Sequence, residues 1–179
     1  PFGTTLRALL DLAGGVANGH TLRAVLLGGA AGTFVGPDAL DVPLTFEDTR
    51  KIGATLGSGV VVVLDDSVAL LPILTRIAGF FRDESCGQCV PCRVGTRHML
   101  QILERITKGE GMPGDIELLQ QIGKTVQTGS LCGLGQTAPN PVISTLRYFR
   151  HEYEAHINEQ RCPALQCKAL INYFILPEK

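Results

Sequence analysis

The sequence has no tryptophan, only two methionines and only 6% aromatic residues, so its core must be built from aliphatic side chains rather than large aromatic rings. It also lacks an excess of either charge: Lys+Arg 16 against Asp+Glu 17 leave a formal net charge of −1. Proteins that neutralise many phosphates carry a basic excess or a basic block, and the Lys and Arg here are scattered, so nucleic acid is excluded as a partner class. No long hydrophobic run occurs either. The apolar stretch 24–35 is interrupted by Gly28, Gly29 and Gly32 and falls far short of the ~20 residues a membrane helix needs. No direct membrane insertion is expected, and the chain reads as soluble and cytoplasmic, meeting a membrane only through a larger complex. There is no initiator Met before Pro1 and no basic-then-apolar leader, which reads as part of a longer polypeptide.

What is present is 179 residues, 45% hydrophobic and 18% charged, enough chain for one domain or two small ones with a real core. Six cysteines stand out. A core of this size folds without disulfide staples and no export signal is in view, so a reduced, metal-oriented use is expected.

Along the chain, residues 4–13 set Leu6, Leu9, Leu10 and Ala13 at helical spacing, with Thr4 or Thr5 as cap and Gly14-Gly15 as stop. Residues 22–36, LRAVLLGGAAGTFVG, read as a strand followed by tight turns, and 60–64 as a strand buried on both faces. The first ~65 residues are thus a small α+β unit. The periodicity then changes. Leu70, Leu71, Leu74, Ile77, Phe80 and Phe81 form one helical face, Met99, Leu100, Leu103 and Ile106 a second, and Ile116, Leu119, Ile122 and Val126 a third. A fourth has Asn140 as N-cap, Pro141 at the first helical position and Val142, Leu146, Phe149, Tyr153 and Ile157 along its stripe. Residues 67–158 therefore read as a four-helix array with loops at 83–91, 108–114 and 128–140. In an up-down bundle the first and third connections share one end.

Those two connections carry the chemistry. Cys86, Cys89 and Cys92 form C-x2-C-x2-C, and Cys132 stands alone in the last loop. Three thiolates spaced two residues apart can wrap three corners of a cubane if the backbone curls, as Gly87 and Pro91 allow, and the fourth closes the cage. A tetrahedral zinc more usually takes two separate C-x2-C knuckles. The spacing therefore favours a [4Fe-4S] cluster, with two alternatives: a zinc-binding structural or interaction module, and free redox-active thiols. Arg93 and Arg97 either offset the negative charge of such a cluster or solvate a helix start, and N–H groups near Gly87, Gly133 and Gly135 are candidate donors to sulfur. The Gly28–Gly32 run lacks the order of a phosphate or dinucleotide loop and is read as tight turns. His20, His98 and His151 have no ligand spacing and are read as surface or interface residues. His156, Cys162 and Cys167 form H-x5-C-x4-C, read either as isolated thiols in a surface tail or as three parts of a zinc site.

With SCGQCVPCRVGT at 85–96 and SLCGLGQTAPNPV at 130–142, the chain resembles the NADH- and flavin-binding subunit of respiratory complex I. The resemblance implies an α+β fold: a ubiquitin-like soluble-ligand-binding β-grasp (SLBB) domain at 1–66, an iron–sulfur-binding helical bundle at 67–158, and a tail at 159–179 leading toward a ferredoxin-like domain. It implies ligand roles for Cys86, Cys89, Cys92 and Cys132, and electron transfer from reduced flavin through one [4Fe-4S] cluster. In that family FMN and NAD(H) bind a Gly-rich domain that precedes the SLBB domain, so the present segment is expected to lack NADH oxidation by itself and to show it only within the full-length subunit. Implied partners are other subunits of a multisubunit oxidoreductase, including a thioredoxin-like [2Fe-2S] subunit. The tail RCPALQCKALINYFILPEK is more similar to relatives in NAD(P)-linked hydrogenases and formate dehydrogenases. Some of those have a zinc site that joins the tail His and Cys pair to a Cys shortly after the strand matching 60–64; this sequence has SVALL there and no Cys.

Overall fold

The structure, a computed structural model, describes residues 1–171, which form eight α-helices and three β-strands. α1 (Leu6–Leu12) starts where the Thr5 hydroxyl accepts the Ala8 N–H at 3.1 Å, an N-cap that satisfies a donor no helical carbonyl can reach. β1 (Leu22–Leu27) and β2 (Thr33–Val35) make an antiparallel hairpin. Between them the glycines turn the chain. Gly28 has φ +90°, and a Cβ on Gly57 would lie 2.8 Å from the Gly28 Cα, so the two backbones touch where side chains could not. The Gly-rich run is therefore a turn packed on a turn.

β3 (Val61–Asp65) pairs antiparallel with the other side of β1, giving the order β2-β1-β3. The expected burial of this strand on both faces is corrected. β3 is an edge strand in which only Leu64 is buried; Val62, opposite Leu26, is 39% exposed. A continuous β-branched run reports strand propensity, not position in the sheet. A short α2 (Phe46–Lys51), capped by the Thr45 hydroxyl on the Asp48 N–H at 3.0 Å, lies before β3 and was not anticipated from periodicity.

The second half holds α3 (Leu70–Glu84), α4 (Val90–Thr107), α5 (Asp115–Gly129), α6 (Gly133–Thr137), α7 (Asn140–Tyr148) and α8 (Arg150–Ile157). Six helices thus stand where four stripes were expected. α6 occupies the segment read as loop 128–140, and the fourth stripe is divided at Phe149, whose φ −131° and ψ 31° are not helical. Nor is Asn140 an N-cap. Its amide donates to the Ala31 carbonyl at 3.1 Å and its oxygen accepts from Gln127 at 3.1 Å, tying the hairpin and α5 to the start of α7.

Two apolar clusters share the sheet. On one face Val25, Leu27 and Val35 pack with Leu6, Leu10 and Leu40; on the other Ala24, Leu26, Phe34 and Leu64 join Leu70, Leu74, Leu103, Leu119, Leu146 and Tyr153 of the helices. The alternation along β1 is the period-two geometry of a strand covered on both sides. Polar ties cross the same junction: the Phe34 N–H donates to Ser144 Oγ at 2.9 Å, and Arg23 Nε to Glu152 Oε1 at 2.7 Å.

Candidate metal centres

α3 ends at Glu84, and the five residues before α4 make a tight loop in which Gly87 takes φ +77°. α4 begins at Val90 with Pro91 in its first turn, earlier than the expected loop boundary, because a proline at that position loses no hydrogen bond. Cys89 is therefore the residue before the helix and Cys92 lies within its first turn, buried, while Cys86 is exposed. Arg93 folds back so that its Nη1 donates to the Gly87 carbonyl at 3.1 Å, pinning the loop. The Arg97 side chain is on the exposed side of the helix.

The far segment reaches the same place. α5 ends at Gly129, where a Cβ would stand 2.9 Å from Pro91 Cγ. Ser130 Oγ donates to the Val126 carbonyl at 2.6 Å, and the Gln136 amide closes on the Ser130 carbonyl at 3.1 Å. Cys132, exposed, is the residue from which α6 starts. Gly135, within that helix, has no room for a side chain: a Cβ would meet Ser130 Oγ at 2.4 Å and Cys92 Cβ at 3.1 Å. The Cys89 thiol is held below its ordinary value, the neighbouring Leu131 backbone being the first cause. The loop of the three cysteines and the loop of the fourth thus touch through Pro91–Gly129 and Cys92–Gly135. Among the described residues no three of these four sulfurs lie within 4.8 Å of one another. A single tetrahedral zinc at Zn–S ~2.3 Å would hold all four about 3.8 Å apart. The donor chemistry, four thiols with no carboxylate or imidazole among them, suits iron–sulfur ligation.

A tighter constellation lies at the C-terminal end of α8. The ligand atoms of His156, Cys162 and Cys167 are all within 4.8 Å of one another, and the residues are 0%, 0% and 5% exposed. This corrects the reading of the two thiols as isolated in a surface tail. The tail folds back instead so that Cys162, Cys167 and Leu170 pack on Ala69, and Gln166 clips it down by accepting the Ala69 N–H at 3.2 Å and donating to the Ser67 carbonyl at 2.8 Å. His156 Nδ1 lies 2.7 Å from the Glu152 carbonyl and Nε2 3.4 Å from Cys167 Sγ. A carbonyl only accepts, so Nδ1 carries the proton and Nε2 turns its lone pair toward the cysteine, the tautomer a metal-ligating imidazole needs. Burial lowers the His156 pKa and pushes the Cys167 thiol up to about 12. Residues 172–179 of the tail lie outside the described residues.

A third grouping escaped the sequence reading. His20, Asp65 and Asp66 also come within 4.8 Å of one another, at the surface. Their atoms are engaged with neighbours, His20 Nδ1 and Thr21 Oγ1 each 2.7 Å from Asp66 and Ser67 Oγ 2.6 Å from Asp65, which makes this an end-of-strand polar cluster. His98 and His151 are exposed, as expected. No helix among the described residues is long and apolar enough to cross a membrane.

Residues 72–156 match the family model described as the NADH-ubiquinone oxidoreductase-F iron-sulfur binding region. The NADP-reducing hydrogenase subunit HndC of Solidesulfovibrio fructosivorans is 39% identical over 180 residues, covering 100% of this chain and 37% of its own length. The F subunit of the NADH-quinone oxidoreductase of Streptomyces coelicolor is 39% identical over 91% of this chain and 36% of its own length, and that of Escherichia coli 38% identical over 89% and 36%. Among solved structures, an NAD+-reducing [NiFe]-hydrogenase in the H2-reduced state superposes with TM-score 0.77 at 34% identity over 88% of this chain and 26% of the other. The chain thus spans little more than a third of the length of these curated relatives. Its mixed helical and small-sheet fold matches that of the hydrogenase chain, and the region at 72–156, with both cysteine loops inside it, belongs to the NADH-ubiquinone oxidoreductase-F iron–sulfur binding family.

Proposed function

We propose that this chain is the electron-transferring segment of a complex-I-like, NAD(P)H-linked flavoprotein subunit, with Cys86, Cys89, Cys92 and Cys132 holding one [4Fe-4S] cluster. In this reading residues 1–66 are an SLBB β-grasp domain, 67–158 the iron–sulfur helical bundle, and 159–179 a C-terminal tail. The observation that carries it is the meeting of the two cysteine loops, with Gly129 against Pro91 and Gly135 against Cys92. When bound, the cluster supplies a one-electron carrier between reduced flavin and the next centre. The chain's own part is positioning and shielding. The Arg93 guanidinium fixes the loop through the Gly87 carbonyl, the α4 turn holds Cys92 out of water, and exposed Cys86 and Cys132 would hold the cluster at the surface, where it could exchange an electron with a neighbouring centre.

FMN and NAD(H) belong to the full-length subunit, because hydride chemistry needs a site that positions flavin and nicotinamide together. The partners are other subunits of a multisubunit oxidoreductase, with a thioredoxin-like [2Fe-2S] subunit among them, in the cytoplasm or on its side of a membrane complex. In anaerobically prepared protein, Cys132→Ser should lose or alter the cluster's EPR signal. Unchanged iron content and signal would remove Cys132 from the ligand set.

A second reading concerns the tail, and the preset His156 tautomer beside two buried thiols favours it: His156, Cys162 and Cys167 as three of the four ligands that a zinc ion would take. About one zinc per chain, lost in Cys167→Ser while iron stays, is the expected result. Retention of that zinc in the variant would contradict it.

A further inference from the structure

The residue that follows α3 has a hydroxyl aimed at a cysteine. Ser85 Oγ lies 3.3 Å from Cys92 Sγ, and the same oxygen accepts the Gly87 N–H at 3.4 Å. The hydroxyl proton is therefore left for the sulfur. A metal-bound thiolate carries no proton, so with Cys92 as a ligand the bond has one possible sense, O–H to sulfur. Cys92 is the buried member of the four, in the least water-screened position.

We propose that Ser85 is a positioning and tuning residue for the cluster, whose hydroxyl raises the reduction potential by donating to the Cys92 sulfur. This rests on the four-cysteine reading above. Reduction adds negative charge, and hydrogen bonds to charged acceptors are about twice as strong as neutral ones, so a donor at the sulfur stabilises the reduced form more than the oxidised form. Ser130 provides the contrast. It too adjoins a ligand cysteine, Cys89, but the hydrogen bond in which its hydroxyl is placed runs to the Val126 carbonyl at 2.6 Å.

The test is an EPR-monitored redox titration of the iron-loaded full chain and its Ser85→Ala, Ser85→Thr and Ser130→Ala variants, with iron counted in each. Ser85→Ala should keep its iron and become about tenfold harder to reduce, a shift of about 59 mV to more negative potential for a one-electron couple. Ser85→Thr, which keeps the hydroxyl, should restore most of that shift, and Ser130→Ala should move much less. A Ser85→Ala midpoint equal to wild type at full iron content overturns the proposal. If Ser85→Ala loses iron, proton ENDOR on the reduced protein decides: a strongly coupled, deuterium-exchangeable proton whose coupling changes in Ser85→Thr and not in Ser130→Ala supports the bond, and couplings unchanged in both variants overturn it. A wild-type chain without iron or sulfide would overturn the cluster reading itself, a different failure from an unshifted midpoint.

Discussion

Gly135 and Gly133 lie two residues apart on one short helix and have opposite tolerance for a methyl group. A Cβ on Gly135 would press on Ser130 Oγ at 2.4 Å and Cys92 Cβ at 3.1 Å, whereas one on Gly133 would meet nothing within 4 Å. Gly135→Ala is therefore expected to cost about 1–3 kcal/mol, the range of overpacking in a close-packed site, and to lower the iron bound per chain. Gly133→Ala should do neither. Urea unfolding and iron analysis of both variants check the pair; equal behaviour would show that the Gly135 contact does not hold the loops together. Cys86, Cys89 and Cys92 were legible as a group because ligand spacing along a curled loop is a local property. The surroundings of Cys162 and Cys167 were not, since their burial depends on Ala69 and Gln166, residues about a hundred positions apart that meet only in the folded chain.

At the scale of elements, the end of β3 is tied to the segment before β1 by Asp66. Its carboxylate accepts from Thr21 and pairs with His20, and those bonds, the Thr21 hydroxyl first, hold its pKa at about 2 against an ordinary 3.8. The unfolded chain binds more protons in that window, so the Asp66 contribution is complete above it and is lost as pH falls from about 3.8 to about 2. Asp66→Asn should therefore melt below wild type at about pH 5, with the gap closing across that acid window. The same bond raises the His20 pKa, so the charged His20 partner contributes below its ordinary value and fades as pH climbs through the raised one. A gap in melting temperature that stays constant down to the acid limb would contradict this assignment.

The three long helices α3, α4 and α5 were readable because each carries a complete apolar stripe. The break at Phe149 was not, since Val142, Leu146, Phe149, Tyr153 and Ile157 stay in phase across it and periodicity registers only phase. α6 was missed for the opposite reason: five residues, GLGQT, hold no stripe.

At the scale of the whole molecule, Arg23 on β1 and Glu152 on α8 join the sheet to the helices across 129 positions of sequence. The Glu152 side chain is 1% exposed, and its Oε2 has no hydrogen-bond partner among the described residues. Arg23→Met would leave that carboxylate buried and uncompensated, at an expected cost of about 3–5 kcal/mol. Replacing both residues with apolar ones should recover most of the loss, since a packed pair replaces two desolvated charges. Urea unfolding of the single and double variants reads both effects; a single variant as stable as wild type would show that the pair does not lock the junction. No pattern in the sequence connects these two residues, although the two cysteine loops, 40 positions apart between Cys92 and Cys132, did reveal their meeting through bundle topology.

The central claim is that the converging loops hold an iron–sulfur cluster. Iron, zinc and acid-labile sulfide measured together on anaerobically prepared protein from iron-replete cells test it most directly. About four irons and four sulfides per chain are predicted, with broad visible absorbance bleached by a strong reductant. Protein that contains zinc in the four-cysteine site and neither iron nor sulfide would contradict it.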